Sequence, residues 1–582
     1  MQITWRQNKE SKEYGSFKNK VDHVFKDFKE GRNKSSDYHI RDLDSAVNML
    51  YMFRNKPVRF IGDYDTDGMS SCINWNLLCN ELNISDMEWY IPDRELDGYG
   101  ASPDIVEYLC NNISIHGLPI IETKEPGLLV TADNGIAALE AMSRAKELGW
   151  KILILDHHLP VTDDNGEKKL PDADVIIDPH AVDCGADFKN YCGAGLVYKL
   201  AQYINGLNGT IPEWNVSDEV MAKITGIAAI ATIGDSVNFI EENNGIYGYD
   251  NYLIVKDGLY QLTQNAGRTT GMYCLLLGIN PKYETILTVD DIGFSISPVM
   301  NAVSRIEEFG SNKVIELFLQ DDNDFISAAE KAKHLVETNE LRKKYTNDLV
   351  PVLINRIKEN NMQNDFPIIV CGKPNEIHPG VIGLVAGKLQ EEFNTSVIVF
   401  APMSDGTLKG SARAPKGTNM KKLLDENKSL ILKYGGHAPA AGVSIEAAKL
   451  DEFTKAMQQS AGEKPKDLYF REYDFEITPD MVEDELKIID QIGCFGNGFN
   501  MPVYRITYET NLTRGVYYQI LGAEKKTLRL LNNYANAINF KNIIPKFAEM
   551  GEPTVLTLYG TLNWNVWNGK STPQIMFDDI DY

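Results

Sequence analysis

Short apolar runs alternating with helix-length amphipathic stretches are the feature that most restricts how this chain can fold. Val58 to Ile61, Leu128 to Thr131 and Ile152 to Leu155 are each strand-length, and the stretch from Ile136 to Leu148 has the spacing of an amphipathic helix. Strands separated by helices predict a parallel α/β sheet, whose ligand sites form at the carboxyl edge of the strands. The acids and histidines follow that rule. Asp63, Asp65 and Asp67 end the first run in FIGDYDTDG, Asp133 ends the second in LLVTADNG, and Asp156, His157 and His158 end the third in KILILDHHLP. A fourth acidic position, Asp235 in AAIATIGDSV, closes a helix-like apolar stretch.

A lone Asp or His at such a place is usually a helix cap or a satisfied core histidine. This many at the ends of successive apolar elements point instead to a cation, because neighbouring carboxylates disfavour joint ionisation. The string D-x-D-x-D-G also opens a calcium loop, but the twelfth position from Asp63 is Asn74 where that loop needs Glu. Oxygen and imidazole donors without thiolate suit Mn²⁺ or Mg²⁺, and two such ions activate water and stabilise in-line phosphoryl displacement.

The 582 residues allow three or four domains. The segment 1–56 is polar and reads as an irregular or helical extension. Val314 to about Lys358 is rich in helix formers and reads as bridging helices. A second α/β segment starts at Pro367, and beyond about 465 period-two alternation (PVYRITYET, PTVLTLYGTLNWNVW, PQIMFDDI) predicts a small antiparallel barrel. The boundaries expected are therefore 57–312, 313–360, 361–464 and 465–582.

No apolar run reaches 18 residues, the first twenty residues lack a leader's apolar region, and the eight cysteines form no C-x-x-C. A cytoplasmic protein with no membrane contact is expected. The net charge of −24 excludes a histone-like protein and requires any nucleic-acid partner to meet a local basic patch. One such stretch lies between 401 and 433: Lys409, Arg413, Lys416, Lys421, Lys422, Lys428 and Lys433 against three acids. On charge alone it fits a solvated face equally well. NGKST at 568–572 is no phosphate loop, since Trp564 stands where glycine is required, and FDDIDY reads as the end of a last strand.

The order D-Y-D-T-D-G, T-A-D-N-G, L-D-H-H and G-D-S, followed by GGHAPAAG at 435–442, resembles the DHH phosphoesterases. Within them, IPDRELDGYG, YCGAGLVYKL, IGFSISPVMNAVSR, IHPGVIGLVAGKL, KGSAR and NGKSTPQIMFDDI make the chain similar to the RecJ-type single-strand exonucleases over roughly 57–582. The resemblance implies a two-lobed α/β body, a parallel-sheet DHH domain and a DHH-associated domain joined by a long helix, with a C-terminal OB-fold barrel. It implies metal ligands at Asp63, Asp65, Asp67, Asp133, His157 and Asp235, with His158 contacting the scissile phosphate or orienting the site and Asp156 supporting it. Ile61 stands where many members have a ligand histidine, and Ser304 replaces the usual glycine before Arg305. Arg94, Arg305, Ser411 and Arg413 match a 5′-phosphate pocket, and Gly436 and His437 a nucleic-acid contact. The implied activity is metal-dependent 5′→3′ degradation of single-stranded DNA in repair and recombination by a monomer, with a single-strand-binding protein and a helicase as further partners. The competing readings are a short-oligonucleotide or cyclic-dinucleotide phosphodiesterase and a non-catalytic scaffold.

Overall fold

The computed structural model describes residues 4–163, 165–181, 186–207, 211, 214–264, 267–321, 323–415, 417–462, 470–511, 517–567 and 569–582. Two compact units emerge: Lys34–Val237 with Asp250–Leu468, and Met1–Asn33 with Asn238–Tyr249 and Tyr469–Tyr582.

The larger unit holds two sheets. The first has five parallel strands in the order Met87–Tyr90, Val58–Ile61, Leu128–Ala132, Lys151–Leu155 and Val175–Ile177. Helices cover both faces, so Val58–Ile61 and Leu128–Ala132 are buried along their whole length. Even Arg59 is buried, its Nη1 donating to Asp86 Oδ1 at 2.9 Å and its Nη2 to Thr123 Oγ1 at 3.0 Å. The chain runs from Val58–Ile61 to one neighbour and returns to the other side as Leu128–Ala132. That reversal is the crevice where doubly wound sheets bind ligands.

The second sheet has the order Ile368–Cys371, Val397–Pro402, Thr407–Arg413, Ala440–Glu446 and Lys433–Gly436, with only the first pair parallel. A 35-residue helix, Phe325–Glu359, serves both lobes. Leu349, Leu353 and Ile357 pack into the second lobe's core, while its first half lies against the helix Thr270–Ile279 of the first lobe.

The smaller unit is a seven-stranded sheet ordered Phe475–Ile477, Tyr504–Glu509, Val555–Trp567, Lys570–Asp581, Asn536–Asn539, Thr527–Leu530 and Tyr518–Leu521. It is mostly antiparallel, but Phe475–Ile477 runs parallel to Tyr504–Glu509, and Asn536–Asn539 to Lys570–Asp581. The start of the chain belongs to this unit. Strand Thr4–Gln7 pairs with Phe470–Tyr473, Trp5 stacks on Tyr559 at 4.3 Å, and its indole donates to Asp579 Oδ2 at 2.9 Å. The polar extension read from the sequence is thus divided, residues up to Asn33 joining the C-terminal sheet and the helix Leu43–Phe53 the larger unit.

Candidate active site

Each acid at the sheet edge is fixed by its local fold. Asp65 caps the helix Thr66–Glu81, its Oδ1 accepting from Asp67 N (2.9 Å) and Gly68 N (3.1 Å). Asp67 accepts with both oxygens from the start of the helix Gly193–Gly206, from Gly193 N at 2.6 Å and Ala194 N at 2.9 Å. Glycine is required at 193 because a Cβ there would stand 2.6 Å from that of Asp133. Asp133 itself has a φ of 61°, a strained choice for Asp that turns its carboxylate inward at the strand end. His157 Nε2 lies 3.0 Å from Asp133 Oδ1, 3.6 Å from Asp67 Oδ2 and 3.7 Å from Asp235 Oδ2.

Among the described residues, three groups could each hold an ion, with donor atoms within 4.8 Å of one another: Asp67 with His157 and Asp235, Asp63 with Asp65 and Asp133, and Asp133 with both histidines. Asp133 and His157 are shared between groups. Burial raises the carboxyls of Asp63, Asp133 and Asp235 well above the ordinary 3.8, and repulsion adds to it, from Asp65 at Asp63 and first from Asp67, then Asp65, at Asp133 and Asp235. Burial, with the positive His158 beside it, pushes His157 down to about 4, so its imidazole is neutral and able to ligate. Asp63 Oδ1 is buried without a hydrogen-bond donor. Crowded carboxylates, a neutral imidazole and an orphaned oxygen fit hard divalent cations. Ile61 is buried in the apolar core.

His158 is the opposite case. Burial opposes its charge, but Nδ1 bonds Asp156 Oδ1 at 2.8 Å and the ring is held up at about 9. Asp156 is anchored by the backbone N–H groups of His157 and Ile136, and despite burial the His158 hydrogen bond keeps its carboxyl below the usual range.

Within the same unit the two lobes enclose a cleft of about 700 Å³ lined by Arg94, Arg305, Ser411 and Arg413. Alternation along Thr407–Arg413 puts Lys409, Ser411 and Arg413 on one face, with Leu408 and Ala412 in the core behind. Ser411 pairs in register with Gly442, and Gly442 with Gly435. A Cβ at either glycine would meet nothing within 4 Å, so the fold does not require glycine there and the cleft floor is left bare. Arg413 Nη1 donates to Ser411 Oγ at 3.0 Å. The helix Ile382–Phe393 points its uncapped start at the same spot, and a Cβ on Gly383 would come 2.9 Å from Arg413 Nη2. Burial first, then Arg94, Arg342 and Arg413, pull Arg305 down to about 9.

A model of the DHH family's N-terminal domain matches residues 57–232, a DHHA1 domain matches 365–463 and a RecJ OB domain matches 473–579. The single-stranded-DNA-specific exonuclease RecJ of Salmonella typhimurium is 31% identical over 431 residues, covering 72% of this chain and 68% of the relative. The chain belongs to the RecJ family. RecJ of Thermus thermophilus is 24% identical over 552 residues, covering 93% of this chain and 71% of its own. The crystal structure of RecJ with Mn²⁺ from that organism superposes with a TM-score of 0.72 at 20% identity, covering 93% of this chain and 72% of the other. The RecJ fold, an α/β body with a DHH-associated domain and an OB domain, is therefore that of this chain.

Within this RecJ fold all six expected ligands converge, with Asp156 and His158 beside them, and the four expected phosphate residues line one cleft. Gly436 also lines it, with a φ of 131° and no room for a Cβ against Ala440 O, whereas His437 is exposed at the hairpin tip. The basic stretch divides: Lys409, Arg413 and Lys433 line the cleft, Lys421 and Lys422 pair with Asp425 and Glu426 on the helix surface, and Lys416 lies outside the described residues. Ser304 is buried, its hydroxyl donating to Asn301 O at 3.2 Å. Three residues escaped the sequence reading. Tyr99 OH donates to Asp133 O at 2.8 Å and meets the His158 ring at 3.0 Å, Tyr64 lies 3.9 Å beneath the Arg94 guanidinium, and Arg342 of the long helix adds a fourth guanidinium near Arg305. The D-Y-D alternation was the available signal for Tyr64, since neighbours of inward acids face the other way.

Proposed function

We propose that the chain is a metal-dependent exonuclease that degrades single-stranded DNA stepwise from a phosphorylated 5′ end. The observation that carries this reading is a cluster of cation-demanding acids at the sheet crevice that adjoins, through Tyr64 and Tyr99, a cleft of anion-demanding arginines beside a bare glycine floor. The names of the relatives supply the substrate class, single-stranded DNA.

Asp63, Asp65, Asp67, Asp133, His157 and Asp235 would hold Mn²⁺ or Mg²⁺. Two bound ions supply activation of water and neutralisation of charge on phosphate oxygens. His158, kept protonated by Asp156, places a positive charge beside the acids and offsets the negative charge that grows on the phosphate. Tyr99 fixes the ring of His158 against the backbone of Asp133. Arg94, Arg305 and Arg413, with Ser411, bind the terminal phosphate through charge-assisted hydrogen bonds, and Gly436 lets the strand lie close to the backbone. Hydrolysis at the P–O3′ bond leaves a phosphate on the shortened strand, which renews the end this pocket grips. A duplex offers neither unpaired bases nor a free single-stranded end. A cytoplasmic monomer, a role in repair and recombination, and partnership with a single-strand-binding protein and a helicase belong to the same proposal.

The test compares linear and circular single strands and blunt duplexes after chelation and after return of Mn²⁺ or Mg²⁺. Loss of only the linear strand, and only with metal, is expected. Cutting of the circle would replace the exonuclease reading with an endonuclease.

A further inference from the structure

Two of the pocket's arginines come from elements far apart in sequence: Arg94 from the loop after the strand Met87–Tyr90, and Arg305 from the last turn of the helix Ser297–Ile306. Like charges that must converge on one phosphate repel one another before it arrives, so something other than attraction has to set their spacing. A single buried carboxylate joins the two elements. Asp93 Oδ1 accepts from Glu95 N at 2.9 Å and Leu96 N at 3.0 Å, folding the loop around Arg94. Its Oδ2 accepts from Phe309 N at 2.7 Å, in the turn that follows Arg305, where Phe309 has a φ of 51°.

Asp93 is 5% exposed and is absent from the described cleft lining, although Arg94, Glu95 and Leu96 belong to it. Asp97 completes the support. Its Oδ2 accepts from Asp93 N at 2.7 Å and from Tyr90 OH at 2.8 Å, while Oδ1 meets His116 Nε2 at 2.7 Å.

We propose that Asp93 is a positioning residue for 5′-end recognition, clamping the Arg94 loop to the turn after Arg305 so that both guanidiniums meet one terminal phosphate. This rests on the phosphate-pocket reading above. The chemistry of the side chain makes the idea separable from simple loop stability. In Asp93→Asn the Oδ1 can still accept from Glu95 and Leu96, but the amide nitrogen faces Phe309 N–H donor to donor. Only the link between the two elements is then lost.

The experiment measures kcat/KM of the full chain with Mn²⁺ on the same oligonucleotide carrying a 5′-phosphate or a 5′-hydroxyl. Wild type should prefer the phosphate, and Asp93→Asn should lower that preference by roughly 10–100-fold, the effect of misplacing binding groups by about an ångström, while 5′-hydroxyl turnover stays within about twofold. Equal losses on both substrates, or an unchanged ratio, would overturn the positioning role and leave the pocket intact. A wild type indifferent to the phosphate would overturn the pocket reading and this inference with it. If Asp93→Asn lowers the melting temperature, comparing Arg94→Ala with Arg94→Ala/Asp93→Asn below both transitions decides. Asp93 acting through the two guanidiniums requires that the second change cost less phosphate preference than it does alone, since Arg94 is already gone, and full additivity would reject it.

Discussion

The acid cluster at the sheet edge and the adjoining arginine cleft carry opposite charge but the same kind of electrostatic tension. At the parallel-sheet edge, burial and mutual repulsion raise Asp63, Asp133 and Asp235 far above the carboxylate range. Around the phosphate pocket, burial and neighbouring guanidiniums depress Arg305. Opposite charges within the fold offset each cluster only in part, His158 and Arg94 beside the acids and Asp65 beside Arg305. Under the proposed function each awaits a ligand of opposite charge, a divalent cation on one side and a terminal phosphate on the other, and each costs stability until that ligand binds.

The largest effect should come from the acidic side. Asp133→Ala is expected to lower turnover by roughly 10³-fold or more with far-UV circular dichroism unchanged, since Asp133 is shared between candidate ion groups. Near-normal rates in Mn²⁺ would remove the cation half of the comparison. Stability gives a sharper reading. Because the folded pKa values of Asp63, Asp133 and Asp235 lie above the ordinary 3.8, the folded state binds these protons more tightly than the unfolded chain. Their contribution favours folding at and below that value and is lost as the pH rises through the raised ones. Calorimetry should therefore find that Mn²⁺ raises the melting temperature more at about pH 7 than at about pH 5, and less in Asp133→Asn. A pH-independent rise would contradict this.

On the basic side, Arg413→Ala should cost 5′-phosphorylated strands about 1.5–3 kcal/mol more than 5′-hydroxyl strands in competition kinetics. Equal losses would place Arg413 outside the pocket. Gly442→Val should leave the melting temperature nearly unchanged, because a side chain there meets open space, yet weaken strand binding measured by fluorescence anisotropy. Normal binding would mean the bare floor is not the strand's path. The smallest effect is expected at the ion pair between Lys409 and Glu95 across the cleft, 2.6 Å apart with both side chains about a third exposed. Glu95→Gln should shift affinity by less than about 1 kcal/mol and steepen its salt dependence as Lys409 becomes free for phosphate.

How much of this was legible in the sequence differs between the two clusters. The acids stand at the ends of apolar runs, so the strand–helix alternation brings Asp63, Asp133 and His157 to one edge without knowledge of tertiary structure. The dual use of Asp65 as helix cap, and of Asp67 as acceptor for Gly193 and Ala194, was not legible, because a cap and a ligand look alike in sequence. The arginines were placed by family motifs, but Arg342, Tyr99 and Asp93 act through contacts across long separations that no local pattern records. Where the start of the chain docks was not legible for a different reason. Its high polarity hid Trp5 and Phe17, which pack with Tyr559 and Phe475 of the C-terminal sheet and could have marked a docked segment.

The proposed function makes the acid cluster a cation-dependent hydrolytic centre and the adjoining arginine cleft a grip on the 5′ end of a single strand. It is tested most directly by following 5′-labelled and 3′-labelled copies of one phosphorylated single strand in Mn²⁺ at single-turnover enzyme concentrations. The account predicts that the 5′ label appears at once as mononucleotide while the 3′-labelled strand shortens in steps and releases its label last. Early release of the 3′ label, or internal fragments from both copies, would contradict it.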